Sequence, residues 1–199
     1  MTVNWVMKRI VVYCGSSFGT DPVYREQAYA TGVELARLDI GLVYGGARVG
    51  LMGAVADGAL AHGGEVIGVL PRFLSGKELG HAGLTDLILV DTMHERKLKM
   101  HELSDGVISL PGGFGTLEEL FEMVTWGQLG LHKKPVGLLN VAGFYDELLS
   151  FVQTMVDKGF LKEANQQMLL SADTIEGLLE KMKNYQAPAT DKWITKETT

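Results

Sequence analysis

Six short apolar runs, Ile10–Tyr13, Leu42–Tyr44, Val66–Leu70, Leu87–Val90, Val107–Leu110 and Val136–Leu139, recur along this chain with helical periods between them. A run of three to five apolar residues without polar alternation suits a strand covered on both faces, and such strands belong to parallel sheets whose crossovers are helices. The intervening helix signals begin at Asp21-Pro22, a cap followed by proline at the first helical position, and continue to Leu38. Further helical periods cover 51–62, 93–103, 116–129, 145–157 and 174–184, and Gly63-Gly64, Gly130 and Gly159 stand where three of them end. The fold class expected is α/β, a doubly wound parallel sheet. With 199 residues, 46% of them hydrophobic, the chain suits a single domain over 8–185, an N-terminal extension over 1–7 and a polar tail over 186–199. The segment Pro71–Thr85 reads as irregular, long enough to fold over a strand end and wall a site.

The C-terminal ends of parallel strands share one edge, so loops distant in sequence meet there. Three are glycine-rich: Cys14-Gly15-Ser16-Ser17, Gly45-Gly46-Ala47-Arg48-Val49-Gly50 and Pro111-Gly112-Gly113-Phe114-Gly115-Thr116. Glycines let backbone approach a ligand closely, and the free N–H groups of a helix's first turn attract phosphate. None of the three is a Walker A loop, because no Gly-Lys-Ser/Thr follows at the required spacing. Gly45–Gly50 matches a dinucleotide fingerprint only loosely and reads better as a turn.

A small anionic ligand fits these loops, and the rest of the composition narrows the class. A net charge of −6 argues against nucleic acid or an anionic membrane as partner. One cysteine, Cys14, excludes an internal disulfide framework and suits a reducing compartment, and Lys8-Arg9 precedes only a short apolar run, so a cytoplasmic location is expected. Cys14 ends a buried strand and is expected to pack rather than attack. His94 and His101 share a helix face, but no metal-ligand motif accompanies them, so they read as structural or solvated and no metal is expected.

The charged residues near the third loop carry alternatives. Arg96-Lys97 suit a phosphate or ribose clamp, or else a solvated face with Glu95 and Lys99 as an i,i+4 pair. Leu117, Leu120, Phe121 and Val124 predict the buried stripe of the next helix, which leaves Glu118, Glu119 and Glu122 off it. Thr116-x-x-Glu119 is a capping-box sequence, so Glu119 either reaches back to a backbone N–H or acts on a ligand. Trp126, Met123 and Leu129 extend an apolar surface that serves the core or a second subunit.

Taken together, Tyr13-Cys14-Gly15-Ser16-Ser17, Val43-Tyr44-Gly45-Gly46, Gly50-Leu51-Met52-Gly53, Met93-His94-Glu95-Arg96-Lys97 and Pro111–Glu119 resemble the Lonely Guy family of cytokinin riboside 5′-monophosphate phosphoribohydrolases. The resemblance runs from about Lys8 to Tyr185 and includes Trp126–Gly130 and Lys134–Asn140. It implies a modified Rossmann-like fold, usually dimeric with the pocket near the subunit interface. It also implies cleavage of the N-glycosidic bond of a nucleoside 5′-monophosphate, with no cofactor. Carried over by position, Arg96 and Glu119 are the catalytic pair. Substrate contacts are Ser17, Gly46, Glu78, Met93, Lys97, Gly112, Gly113, Phe114, Gly115, Thr116, Leu117, Glu118 and Thr125. Phe114 stands where many plant members have tyrosine, and Ala47-Arg48 also depart from them, which leaves the base preference open. Two competing readings are a nucleotide-binding module without turnover and a decarboxylase, a label long attached to this family. The latter would require pyridoxal phosphate on a lysine, and no lysine environment in the sequence calls for it.

Overall fold

The computed structural model describes residues 7–75 and 80–188. Seven strands, β1 (Arg9–Tyr13), β2 (Gly41–Tyr44), β3 (Val66–Pro71), β4 (Asp86–Val90), β5 (Gly106–Ser109), β6 (Val136–Leu139) and β7 (Leu169–Ala172), form one sheet in the order β4-β3-β2-β1-β5-β6-β7. Every pairing is parallel; Val11 lies between Val43 and Val107. The expected doubly wound sheet is therefore present, with β7 as a strand the apolar pattern did not mark. Leu169–Ala172 is half-buried at an edge and carries no β-branched residue, so it lacks the signal that identifies the central strands.

The helices are α1 (Pro22–Arg37), α2 (Gly50–Ala61), the short α3 (Arg72–Ser75), α4 (Met93–Leu103), α5 (Phe114–Gln128), α6 (Asp146–Asp157), the short α7 (Glu163–Gln166) and α8 (Ile175–Lys183). Strand residues alternate between two cores. Ile10, Val12, Leu42 and Tyr44 face the layer containing α1, α2 and α8, whereas Val11, Tyr13, Val43 and Val107 face the layer of α4, α5 and α6. This alternation is why the strands read as unbroken apolar runs. β4 departs from the expectation of two covered faces: Leu87 and Leu89 remain 37% exposed because β4 is an outer strand.

α1 and α2 pack with backbones touching. A Cβ on Gly32 would collide with the Val55 carbonyl, and one on Gly58 with the Tyr29 carbonyl. Glycine inside a helix costs about 1 kcal/mol relative to alanine, so these two are explained by the close approach. Gly32→Ala should therefore destabilise the fold by about 2 kcal/mol despite its better propensity, read as a lower urea midpoint at unchanged slope. An unchanged or raised midpoint would mean that the two helices separate at little cost.

Between β3 and β4 the structure places α3 and an antiparallel bridge from Gly80 to Ala47; residues 76–79 lie outside the described residues, as do 1–6 of the expected extension and 189–199 of the expected tail. The segment 80–85 packs on the β2 loop. His81 N–H donates to the Gly46 carbonyl at 3.0 Å, and the His81 ring reaches Asp57 at 3.0 Å. Among the described residues no helix is long and apolar enough to cross a membrane.

The chain order changes direction between β1 and β5. Loops leaving the C-terminal ends of these neighbours diverge to opposite faces and open a crevice, and it is here that the three glycine-rich loops converge.

Candidate active site

The crevice is held together through its backbone. Gly15 N–H donates to the Pro111 carbonyl at 3.0 Å, and the Gly15 carbonyl accepts from Leu51 N–H at 3.1 Å, which ties the β1 loop to the β5 loop and to the start of α2. Gly46 and Gly50 have φ of 77° and 57°, so the β2 loop turns through the left-handed region that favours glycine.

α5 begins at the cavity. Its N-cap is Gly113, no side chain bonds to that end, and the first helical bond runs from Leu117 N–H to the Gly113 carbonyl. The N–H groups of Phe114, Gly115 and Thr116 precede that bond, and no acidic residue occupies the first turn. A helix end of this kind attracts an anion through both its free donors and its dipole. A Cβ on Gly113 or Gly115 would meet nothing within 4 Å, so the loop is open on its ligand side.

The capping box that is one of two readings of Thr116-x-x-Glu119 does not form, because the helix is capped about one turn earlier, at Gly113. The box-like arrangement occurs on α4 instead. Thr92 accepts from Glu95 N–H at 3.1 Å, and Glu95 accepts from Asp91 N–H at 2.8 Å. Glu95 is thereby committed to capping, and the ion pair of Lys99 is with Glu102 at 3.5 Å rather than with Glu95. Arg96 and Lys97 do not form a solvated face either: both point toward α5.

The buried stripe of α5 also differs from the expected one. Thr116, Glu119, Leu120, Met123 and Gly127 are buried, whereas Leu117, Phe121 and Val124 are half-buried. Glu119 is thus on the inner face, 8% exposed, because α4 supplies a cation for it. Arg96 Nη1 donates to Glu119 Oε1 at 2.9 Å, and Arg96 Nε donates to the Val69 carbonyl at 3.1 Å. Burial pushes the Glu119 carboxyl above the usual carboxylate range, and the Arg96 guanidinium works against that rise.

These groups share a cavity of about 300 Å³ at the switch point. Its walls include Tyr13, Cys14, Ser16, Gly45, Arg96 and Glu119, together with Met93, Glu118 and the run Gly113, Phe114, Gly115, Thr116 at the α5 end. Cys14 is packed at 8% exposure, and burial raises its thiol pKa, which keeps it protonated. Ser17 and Gly112 line an adjoining hollow of about 360 Å³ that shares Gly15, Ser16 and Gly113 with the first.

Other sequence-derived positions fall elsewhere. Gly46 backs onto Leu70 and Leu87, Leu117 packs in the α4–α5 core, and Thr125 is exposed somewhat less than two turns beyond Glu119, about 9 Å along the helix. Lys97 does not line the cavity; its ammonium donates to Glu118 at 2.5 Å and to Glu122 at 3.0 Å. Glu78 lies outside the described residues. Of the segment proposed as a wall, none of the described residues between 71 and 85 lines the cavity. Met123 is fully buried in the core and Leu129 is 41% exposed. His94 is exposed, and His101 packs edge-on to Trp126 at 5.3 Å at the far end of α4, where burial pushes its pKa down to about 4.

One functional position was not separable from a turn in the sequence. A Cβ on Gly45 would overlap Arg96 Nη2. The β2 loop is therefore a turn and also the surface against which the guanidinium lies. The Gly-Gly doublet after a strand was the available signal.

Comparison with known proteins supplies further facts. A family model described as "possible lysine decarboxylase" matches residues 52–182. A cytokinin riboside 5′-monophosphate phosphoribohydrolase of Arabidopsis thaliana is 42% identical over 198 residues, covering 100% of this chain and 92% of that protein. One of Oryza sativa subsp. japonica is 47% identical over 178 residues, covering 89% of this chain and 74% of that protein. Among solved structures, a molybdenum cofactor binding protein from Rippkaea orientalis superposes with a TM-score of 0.69 at 25% identity, over 89% of this chain and 96% of its own. The molybdenum cofactor carrier protein of Chlamydomonas reinhardtii gives 0.68 at 23% identity, over 90% and 97%, a likeness of fold alone.

The decarboxylase description would call for pyridoxal phosphate held by a lysine. Among the described residues no lysine lines the cavity, and the Lys97 ammonium is engaged by two carboxylates. The residues present do not fit that cofactor.

Proposed function

Because the chain belongs to the Lonely Guy family of cytokinin riboside 5′-monophosphate phosphoribohydrolases, we propose that it hydrolyses the N-glycosidic bond of N6-modified adenosine 5′-monophosphates. The products are the free base and ribose 5-phosphate. The observation that carries this reading is the placement of an anion-attracting helix end and a buried carboxylate on one cavity and one helix. Helical side chains lean toward the N-terminus, so the Glu119 carboxylate is brought back toward the phosphate end of α5.

In this reading the 5′-phosphate docks on the N–H groups of Phe114, Gly115 and Thr116. That fixes the anomeric carbon near Glu119, and remote binding energy is spent on orientation. As the C1′–N9 bond lengthens, positive charge develops on the sugar. An ionised Glu119 stabilises that charge or orients the attacking water. Arg96 holds Glu119 in place and favours its ionised form. The alternative of a nucleotide-binding module without turnover needed Glu119 as a helix cap, and α5 starting at Gly113 removes that need.

The test is chromatographic detection of free base after incubation with N6-isopentenyladenosine 5′-monophosphate, AMP and isopentenyladenosine. The nucleoside should be about a hundredfold or more worse in kcat/KM than its monophosphate. The ratio between the two nucleotides measures the base preference. Binding of the nucleotides without release of either base would overturn the proposal.

We also propose a homodimer with the site near its interface. Thr125 is too far along α5 to serve its own cavity, and it lies on an exposed face that a second subunit would cover. Leu98 and Leu129 remain 48% and 41% exposed. Light scattering should give twice the chain mass of 21.7 kDa; a monomer at assay concentration would count against this arrangement. The single buried Cys14 suits a cytoplasmic setting.

A further inference from the structure

The contacts between α4 and α5 are built from two adjacent pairs. Arg96 on α4 meets Glu119 on α5, and Lys97 meets Glu118 and Glu122. Successive helical residues point about 100° apart, so Arg96 turns toward the cavity while Lys97 turns into the helix–helix seam. The Lys97 side chain is 8% exposed and does not itself line the cavity.

We infer that Lys97 is a positioning residue: it ties down the two carboxylates flanking Glu119 and so holds Glu119 against Arg96 in its ionised form, rather than touching substrate. The inference rests on the proposed hydrolase reading and differs from the substrate contact that the family resemblance implied.

Three carboxylates, Glu118, Glu119 and Glu122, lie within little more than one turn of α5, and the first two line a cavity that must also admit a phosphate. Like charges at this spacing repel and disfavour ionisation of the most buried member. Glu119 is that member. Lys97 spends two donors on its neighbours, and among the described residues Glu122 Oε2 is buried without a partner and no second cation reaches it. Burial alone would lower the Lys97 pKa, and the two carboxylates more than offset it, so the ammonium is firmly charged.

The groups facing Glu119 are Arg96 and Lys97 from α4, Glu118 from its own helix, Tyr13 from β1 and Cys14 from the loop after it. The phenol and thiol are both raised by burial and stay neutral through the working range. Arg96 and Lys97 favour the Glu119 carboxylate, whereas Glu118 opposes it. Removing Lys97 alone therefore raises the pH at which Glu119 ionises, and removing the Glu118 charge lowers it.

The experiment is the pH profile of kcat/KM with N6-isopentenyladenosine 5′-monophosphate. Wild type, Lys97→Met, Lys97→Met/Glu118→Gln/Glu122→Gln and Glu118→Gln/Glu122→Gln are compared. In Lys97→Met the acid limb should move to higher pH, with activity on that limb down about tenfold and KM on the alkaline side unchanged. The triple variant, which carries no uncompensated charge, should return the limb toward wild type. In the double variant the limb should move to lower pH, and this arm stands even where Lys97→Met does not fold. A raised KM at every pH with unmoved limbs would overturn the inference and make Lys97 a substrate contact. Absence of base release by folded wild type at any pH would instead sink the hydrolase reading.

Discussion

Glu119→Gln should lower base release from a nucleoside 5′-monophosphate by about a thousandfold while the protein stays folded. Glutamine keeps the shape of the side chain and an oxygen that accepts from Arg96 Nη1, so the α4–α5 contact is retained. What is lost is the negative charge at the point where the sugar becomes positive. The fold has little to lose, because α5 is capped at Gly113 without help from Glu119, and burial already disfavours the charged carboxylate. Two measurements separate the outcomes: product formation under saturating nucleotide, and thermal unfolding of the same preparation. A folded variant with near-normal turnover would remove Glu119 from the chemistry. Loss of turnover together with the fold would show that the ion pair is structural.

Gly45→Ala should reduce kcat by about a hundredfold without changing a single polar group. The added methyl would occupy the space of Arg96 Nη2 and also crowd the Met52 sulfur at 3.0 Å. The guanidinium is pinned from two other directions, by the Val69 carbonyl and by Glu119. It cannot yield without weakening one of those bonds, and a displacement of about 1 Å in a catalytic group is enough for an effect of this size. Phosphate docking at the α5 end lies on the opposite wall, so KM should change far less than kcat. Equal kcat for Gly45→Ala and wild type would show that Arg96 tolerates displacement, and Arg96 would then have no exacting geometric role.

The central strands were legible because burial on both faces leaves them almost wholly apolar; Ile10–Tyr13, and Val107–Leu110 with Ser109 as its one polar member, could be little else. Helix ends were legible where local chemistry decides them. Asp21 caps α1 through a 2.9 Å bond to Val23 N–H, and Gly63, Gly130 and Gly159 take φ of 73°, 78° and 79° at the ends expected of them. α3 and α7 escaped because a four-residue helix carries too few residues for a period to show, and β7 escaped because an edge strand without β-branched residues lacks the apolar signal of the equally short β2, β5 and β6.

The residue types of the site were present in the sequence: glycine-rich loops after strands, an Arg-Lys pair and three glutamates at the head of a helix. Their roles were not. Thr116-x-x-Glu119 satisfies the pattern of a capping box, and the stripe Leu117, Leu120, Phe121 and Val124 leaves Glu119 off the buried face, yet with α4 against α5 the box does not form and Glu119 is buried beside the stripe, of which Leu120 is fully buried and Leu117 and Val124 pack at the core's edge. A charged residue becomes an inner residue only if a partner arrives from elsewhere, and no local window contains that partner. By itself the sequence determined the parallel sheet, the edge on which its glycine loops gather and the family to which the motifs point, because those follow from periodicity, backbone freedom and motif spacing. Only the tertiary structure decided that Arg96 rests on Gly45 and meets Glu119 while Lys97 turns away into the seam, because contacts between α4, α5 and the β2 loop depend on how distant elements pack rather than on what precedes or follows them in the chain.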